Sequence, residues 1–501
     1  VSNATASPAE STPPPLRRVP DWAILAVVCL GQFMVILDVS IVNVALPSIR
    51  NDLHFTSSGL QWIVNAYTIV FAGFLLLGGR AADLFGQRRL FLLGMFLFTA
   101  ASLVGGFAQS RGMLIAARSA QGLGGAVLSP ATLTILTTTF REGPARAKAL
   151  GAWSAVAGAG GAAGALLGGI LTEFLSWRWI LFVNVPIGVI GMLAARFVLT
   201  ERKGTGANRS LDVVGAILVT GGLLSLVSGI VESNSKGWTS TTTVALLVAG
   251  AALLAIFVAY EAWFAKVPLM QLRLFRSRSV SASNCVMFFL GAATFAMWYF
   301  LSLYVQNILG YSPLQAGLVF LPQTAAIIFG AQVSSRLVVR TGPRPLLVAG
   351  GAVTSIGLAW LAMLPVHGSY LQNILVPSVL TTLGIGLSFT PIAMAATSGV
   401  APHDAGLASG LVNTMRQVGG SLGLAVLATV AVDHTTSLLK DGHPAKSALV
   451  SGYDRAFFGG AILAVGCIIA ALALPRRRAT AAATTEVVAD GPVPSTSLVT
   501  E

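Results

Sequence analysis

Runs of about 20 apolar residues recur along nearly the whole chain, and each is long enough to cross the hydrocarbon core of a bilayer as a helix. Only 10% of the residues are charged, whereas a soluble domain carries roughly 25%. In lipid, every backbone polar group has to be satisfied within its own segment, so each run reads as an α-helix. The pattern predicts spans at about 22–46, 58–78, 90–108, 112–138, 148–172, 177–199, 211–231, 241–262, 279–308, 313–335, 345–365, 369–399, 406–432 and 455–474. This is an all-α polytopic membrane protein with 14 transmembrane helices. Cys29, Cys285 and Cys467 fall in separate runs and form neither a disulfide framework nor a metal site. The polar, Pro-rich start leads through Arg17 and Arg18 into the first run without a small-residue cleavage site, so that run reads as an uncleaved helix.

A net charge of +13 invites a nucleic-acid reading, but the charges are distributed otherwise. Of the 31 basic residues, 22 fall on one side of the predicted spans and 7 on the other, with Arg118 and Arg416 inside spans. The positive-inside rule makes the rich side cytoplasmic, which places both termini there. The basicity is topology, and no nucleic-acid partner is expected.

An internal repeat organises the spans. Arg80-x5-Gly86-x-Arg88-x-Leu90-x3-Gly94 returns as Arg336-x5-Gly342-x-Arg344-x-Leu346-x3-Gly350, at a constant offset of 256 residues. Both copies lie in short cytoplasmic connections, after spans 2 and 10. The expected organisation is a cytoplasmic tail over 1–21, a six-helix bundle over 22–200, two inserted helices with linkers over 201–278, a second six-helix bundle over 279–475 and a cytoplasmic tail over 476–501. Duplicated halves with a substrate site between them near mid-membrane imply alternating access by rocking.

Asp38 lies inside the first span, where a carboxylate is costly and usually faces an ion or proton pathway. It stands about 8 residues from the outer end of its span, about 12 Å deep; Arg118 stands about 6 residues into span 4, about 9 Å deep. The matching depths allow the two to meet, and an arginine beside an aspartate tunes its protonation. Either the pair opens and closes with proton binding, or it is a static ion pair holding helices together.

Four segments resemble the major facilitator superfamily, and within it the fourteen-span drug:proton antiporters of the EmrB/QacA type. They are Leu37-Asp38-Val-Ser-Ile-Val-Asn43-Val-Ala45-Leu46-Pro47 in span 1, Gly79-Arg80-Ala-Ala-Asp83-Leu-Phe-Gly86-Gln-Arg88-Arg89 after span 2, Arg118-Ser-Ala-Gln121-Gly122-Leu-Gly124-Gly125 in span 4, and Gly160-x3-Gly164-x3-Gly168-Gly169 in span 5. The last departs from the family pattern, with Ala165 where a proline usually follows the middle glycine. The resemblance implies a major facilitator fold of 6+2+6 spans in a bacterial inner (plasma) membrane. It also implies proton-coupled efflux of hydrophobic or amphipathic small molecules such as antibiotics, conferring drug resistance, with Asp38 and Arg118 as the coupling pair. The loop at Gly79, Arg80, Asp83, Gly86, Arg88 and Arg89 would then be a gating latch; the plainer reading is topology alone, which accounts for the arginines but not for Asp83. Gly160, Gly164, Gly168 and Gly169 would pack a neighbouring helix closely.

Residues expected to line a substrate cavity are Gln32, Gln61, Trp62, Asn65, Tyr67, Gln121, Trp298, Tyr304, Gln323 and Arg416. Arg416 has no acid at similar depth, so it either bonds helix carbonyls or lines the pathway. With Asp38 the only acid read as deep, neutral or monocationic substrates are expected. Gly419-Gly-Ser421-Leu-Gly423 matches a hydrolase elbow in letters only, because Ser421 is mid-span. No lysine follows a glycine, so no phosphate-binding loop exists and no enzyme, metal or cofactor is expected. The expected partners are a small-molecule substrate, protons and the lipid bilayer, with the chain a monomer. The alternatives are an exporter of one endogenous metabolite and a non-transporting membrane sensor.

Overall fold

The computed structural model describes residues 20–141, 143–201, 211–401 and 404–475. Within them run fourteen helical spans: α1 (Asp21–Asp52), α2 (Trp62–Phe85), α3 (Gln87–Gly106), α4 (Arg111–Thr139), α5 (Pro144–Phe174), α6 (Trp179–Val198), α7 (Val213–Lys236), α8 (Thr241–Trp263), α9 (Arg278–Asn307), α10 (Pro313–Thr341), α11 (Pro343–Leu361), α12 (Tyr370–Thr397), α13 (Ala405–Lys440) and α14 (Ala445–Leu472). Thirteen are apolar enough to cross a membrane by composition alone. The exception, α4, packs against both α2 and α3, so protein takes the place of lipid on much of its surface. The tails expected at 1–21 and 476–501 lie outside the described residues, apart from Pro20 and Asp21.

The packing repeats as the loop motif does. In the first six spans α1 packs on α5, α2 and α3 pack on α4, and α6 packs on α1 and α3. In the last six, α9 packs on α13, α10 and α11 pack on α12, and α14 packs on α9 and α11. The inserted α7 and α8 pair with each other, and α7 lies across α2 and α13 at the seam between the two sets.

Prolines explain the interruptions. Pro186 has no N–H to give the Phe182 carbonyl, and α6 breaks at Val183. Pro322 likewise leaves the Leu318 carbonyl without its helical donor, and α10 breaks at Phe320. Helices also outrun the apolar stretches that reveal them. The last helix begins at Ala445, not near 455, because Lys446, Ser447 and Ser451 hide its first turns from a hydropathy reading. Asp454 therefore sits within α14, and Asp38 is not the only acid inside a span.

The hydrophobic clusters show which side is closed. One cluster joins the outer ends of both sets, with Ile41, Leu46 and Ile63 from the first and Met297, Tyr304 and Phe457 from the second. Towards the cytoplasm there is one cluster per set, around Phe91 and Phe98 in the first and around Ile385 and Ile392 in the second. Bonds across the divide are also on the outer side: Ser302 Oγ donates to the Asn43 carbonyl (2.6 Å), Gln306 Nε2 to the Val44 carbonyl (2.9 Å) and the Leu314 amide to Glu173 Oε2 (2.8 Å). The two sets share a core and hydrogen bonds at their outer ends, and α2 and α13 also touch nearer the cytoplasm, where a Cβ on Gly410 would lie 3.0 Å from Leu76.

Small residues set the closest crossings within each set. A Cβ on Gly124 of α4 would lie 2.6 Å from the Phe98 amide nitrogen of α3, which a real side chain cannot do without moving the backbone. Gly124→Leu is therefore expected to abolish the single symmetric peak of folded protein in detergent size-exclusion chromatography. A wild-type elution profile would contradict this packing.

Candidate functional site

Asp38 and Arg118 meet in the protein interior, exposed by 0% and 2%. Arg118 Nη1 donates to Asp38 Oδ2 at 2.5 Å and to Gln121 Oε1 at 2.9 Å, while its Nε donates to the Ile63 carbonyl at 3.0 Å. The guanidinium also lies 4.6 Å above the Tyr67 ring, a cation–π contact. The other carboxylate oxygen, Oδ1, accepts from Gln121 Nε2 and Asn184 Nδ2, both at 3.0 Å. Gln121 Nε2 also reaches Ser102 Oγ at 2.7 Å. Asp38 is thus held by α1, α4 and α6 together, and every polar partner is buried.

Two members of this network were not read from the sequence. Ser102 resembles any helix serine. Asn184 did leave a signal, an amide inside an apolar run two residues before Pro186. The break that Pro186 causes starts a new helical segment at Asn184, which aims its side chain at Asp38. Gln121 was expected to line a cavity and is instead a bridge between Arg118 and Asp38. Losing one charge-assisted hydrogen bond costs about 1.5–3 kcal/mol. Asn184→Leu is therefore expected to slow substrate-dependent proton flux about tenfold or more while leaving the protein folded; unchanged flux would remove Asn184 from the machinery.

The span 5 glycines press on α1 at the level of Asp38. A Cβ on Gly164 would come within 2.8 Å of the Leu37 carbonyl, and one on Gly168 within 2.8 Å of the Ile41 carbonyl. Gly160 faces Ile36, and Ser40 Oγ donates to the Gly161 carbonyl at 2.7 Å. Gly169 turns instead to Pro313 and Leu314 of α10, across the divide.

In the cytoplasmic loop Gly86 adopts φ +108°, a left-handed conformation that glycine takes without strain, and it turns α2 into α3. Arg88 Nη2 donates to the Arg196 carbonyl at 2.7 Å, and Arg89 pairs with Glu201 at 3.6 Å, so the loop is tied to the end of α6. Asp83 is exposed, within electrostatic reach of Arg80, while Gly79 faces Pro130 of α4.

The other expected cavity residues do not form one wall. Gln61 and Asn65 bond each other at 3.4 Å and are fully buried beside Tyr67; Gln61 Nε2, Asn65 Oδ1 and Tyr67 Oη have no hydrogen-bond partner. Gln32 accepts from Ser129 of α4 at 3.2 Å. Trp62 packs against the cluster shared by α7 and α13. Trp298 lies against Phe320, and Tyr304 donates to the Pro365 carbonyl at 2.6 Å, both in the closed outer region. Gln323 donates to Ser378 Oγ at 2.9 Å within the second set. Arg416 borders a cavity, discussed below.

The family model described as Major Facilitator Superfamily matches residues 28–424. The cephamycin export protein CmcT of Amycolatopsis lactamdurans is 46% identical over 453 residues, covering 90% of this chain and 92% of the relative. The puromycin resistance protein pur8 of Streptomyces alboniger is 40% identical and covers 89% of each chain. Among solved structures, an inward-facing bacterial homolog of the human lysosomal transporter Spinster superposes with a TM-score of 0.62 at 16% identity, over 90% of this chain and 95% of that one.

Proposed function

The chain belongs to the Major Facilitator Superfamily, and on that premise we propose that it is a proton-driven exporter in which Asp38 carries the proton. It is a multi-pass membrane transporter of the drug-export group, not an enzyme, and it moves small molecules, antibiotics among them, out of bacterial cells.

The observation that carries the coupling step is the composition of the Asp38 site. A carboxylate this deep is stable only because Arg118 and Gln121 of α4 and Asn184 of α6 satisfy it, and those two helices are separate from its own. Moving α1 relative to α4 or α6 withdraws donors and leaves Asp38 to take a proton instead. The α5 glycines grip α1 beside Asp38, while Gly169 on the same helix touches α10 of the other bundle. Rocking of the bundles is thereby linked mechanically to the carboxylate. The loop at Gly79–Arg89 acts as the cytoplasmic latch: Asp83 stands exposed at that face, and closure brings it against the second bundle.

Everted membrane vesicles energised to an acidic interior test this. Addition of lipophilic antibiotics, dyes and cations one at a time is expected to dissipate the pH gradient for the compounds that are exported. No response to any compound, with the protein verified in the membrane, would refute the broad-specificity form. The relative named for cephamycin export favours a second form, in which one endogenous metabolite is the principal cargo. A metabolite comparison of knockout and parent strains separates the two.

A further inference from the structure

Two arginines inside the spans, the buried Arg118 and the half-buried Arg416, are treated in opposite ways. Arg118 spends its donors on Asp38, Gln121 and the Ile63 carbonyl and covers a tyrosine ring. Arg416, in α13, has a buried Nε with no hydrogen-bond partner, and among the described residues no acid forms an ion pair with it. A guanidinium in a membrane span without a counter-charge is expensive unless something else supplies the charge. Asp38 is not available, since Arg118, Gln121 and Asn184 already occupy its oxygens.

Arg416 borders a cavity walled by Met287, Leu290, Thr294, Phe295 and Phe389, from α9 and α12. The cavity is small, about 50 Å³, and its walls are apolar apart from Thr294 and the arginine itself. The base of the arginine is fixed: a Cβ on Gly291 would come within 2.3 Å of the Arg416 carbonyl, so α9 and α13 are already in backbone contact there. Arg416 also lies within electrostatic reach of Tyr67, the ring beneath Arg118.

We propose that Arg416 is the anion-binding point of the substrate site, and that the exported compounds include organic anions, a carboxylate or its equivalent carried on an apolar or aromatic body. This rests on the efflux reading and reverses the expectation of neutral or monocationic cargo drawn from the scarcity of acids. A planar guanidinium binds a carboxylate through two parallel hydrogen bonds, and the apolar walls take the adjoining ring.

The test is thermal unfolding of the purified full chain in detergent with 2-naphthoate, its neutral isostere 2-naphthamide, or inorganic phosphate. Naphthoate is expected to raise the melting temperature, and the other two are not. Arg416→Gln is expected to weaken naphthoate binding by about 10- to 100-fold, with partial recovery in Arg416→Lys. Should Arg416→Gln not fold, Thr294→Phe fills the cavity with the charge retained and is expected to lose the naphthoate response equally. No shift with naphthoate, an equal shift with naphthamide, or an undiminished shift in Arg416→Gln overturns the proposal. An equal shift with phosphate overturns it in favour of an inorganic or lipid-phosphate site. Naphthoate binding without proton flux for any compound in vesicles would leave the anion site standing and sink the efflux reading. Flux for neutral and cationic compounds alone, indifferent to Arg416→Gln, would do the reverse.

Discussion

Asp38→Asn is expected to reduce substrate-dependent proton flux at least a hundredfold, to the background of membranes lacking the protein. Asparagine keeps the shape of the side chain and an oxygen for Asn184 or Gln121, but it can neither carry nor release a proton. It also strands Arg118, whose remaining partners are Gln121, the Ile63 carbonyl and the Tyr67 face. Breaking a buried ion pair from one side costs about 3–5 kcal/mol, so loss of flux has to be distinguished from loss of fold. The double variant Asp38→Asn with Arg118→Gln removes the stranded charge. It is expected to recover the melting temperature without recovering flux. Recovery of flux in the double variant would show that the pair is structural and that the proton travels elsewhere.

Gly317→Leu is expected to abolish export by a different route. Gly317 of α10 faces α5 across the divide, and a Cβ there would come within 2.4 Å of the Ala165 carbonyl. This contact is between bundles, so the folding of each is spared while closure of the outer side is blocked. Overpacking costs about 1–3 kcal/mol, enough to shift a balanced two-state equilibrium about 5- to 150-fold. Spin labels at Ser57→Cys and Ser369→Cys, on exposed outer loops, are expected to move apart in Gly317→Leu. Unchanged distances together with normal export would mean that the outer contact is not part of the cycle.

The spans were legible in the sequence because lipid imposes a length. The repeat after spans 2 and 10 anticipated the packing pattern, in which each pairing of the first bundle returns in the second. Asp38 and Arg118 could be matched by depth alone. What remained hidden depends on direction around a helix axis. Gln121 and Trp62 are equally good cavity candidates in one dimension, yet one bridges the ion pair and the other faces the inserted helices. Asn184 reaches Asp38 only because Pro186 restarts the helix there, and Asp454 enters a span only because α14 begins among polar residues.

The most direct test of proton exchange at Asp38 is accumulation in proteoliposomes of the purified chain, using the compound with the largest response in the vesicle panel. With an acidic interior imposed, wild-type protein is predicted to concentrate the compound inside until a protonophore collapses the gradient, and Asp38→Asn is predicted to do no more than equilibrate it. Concentrative uptake that persists without a pH gradient, or that survives Asp38→Asn, would contradict the account.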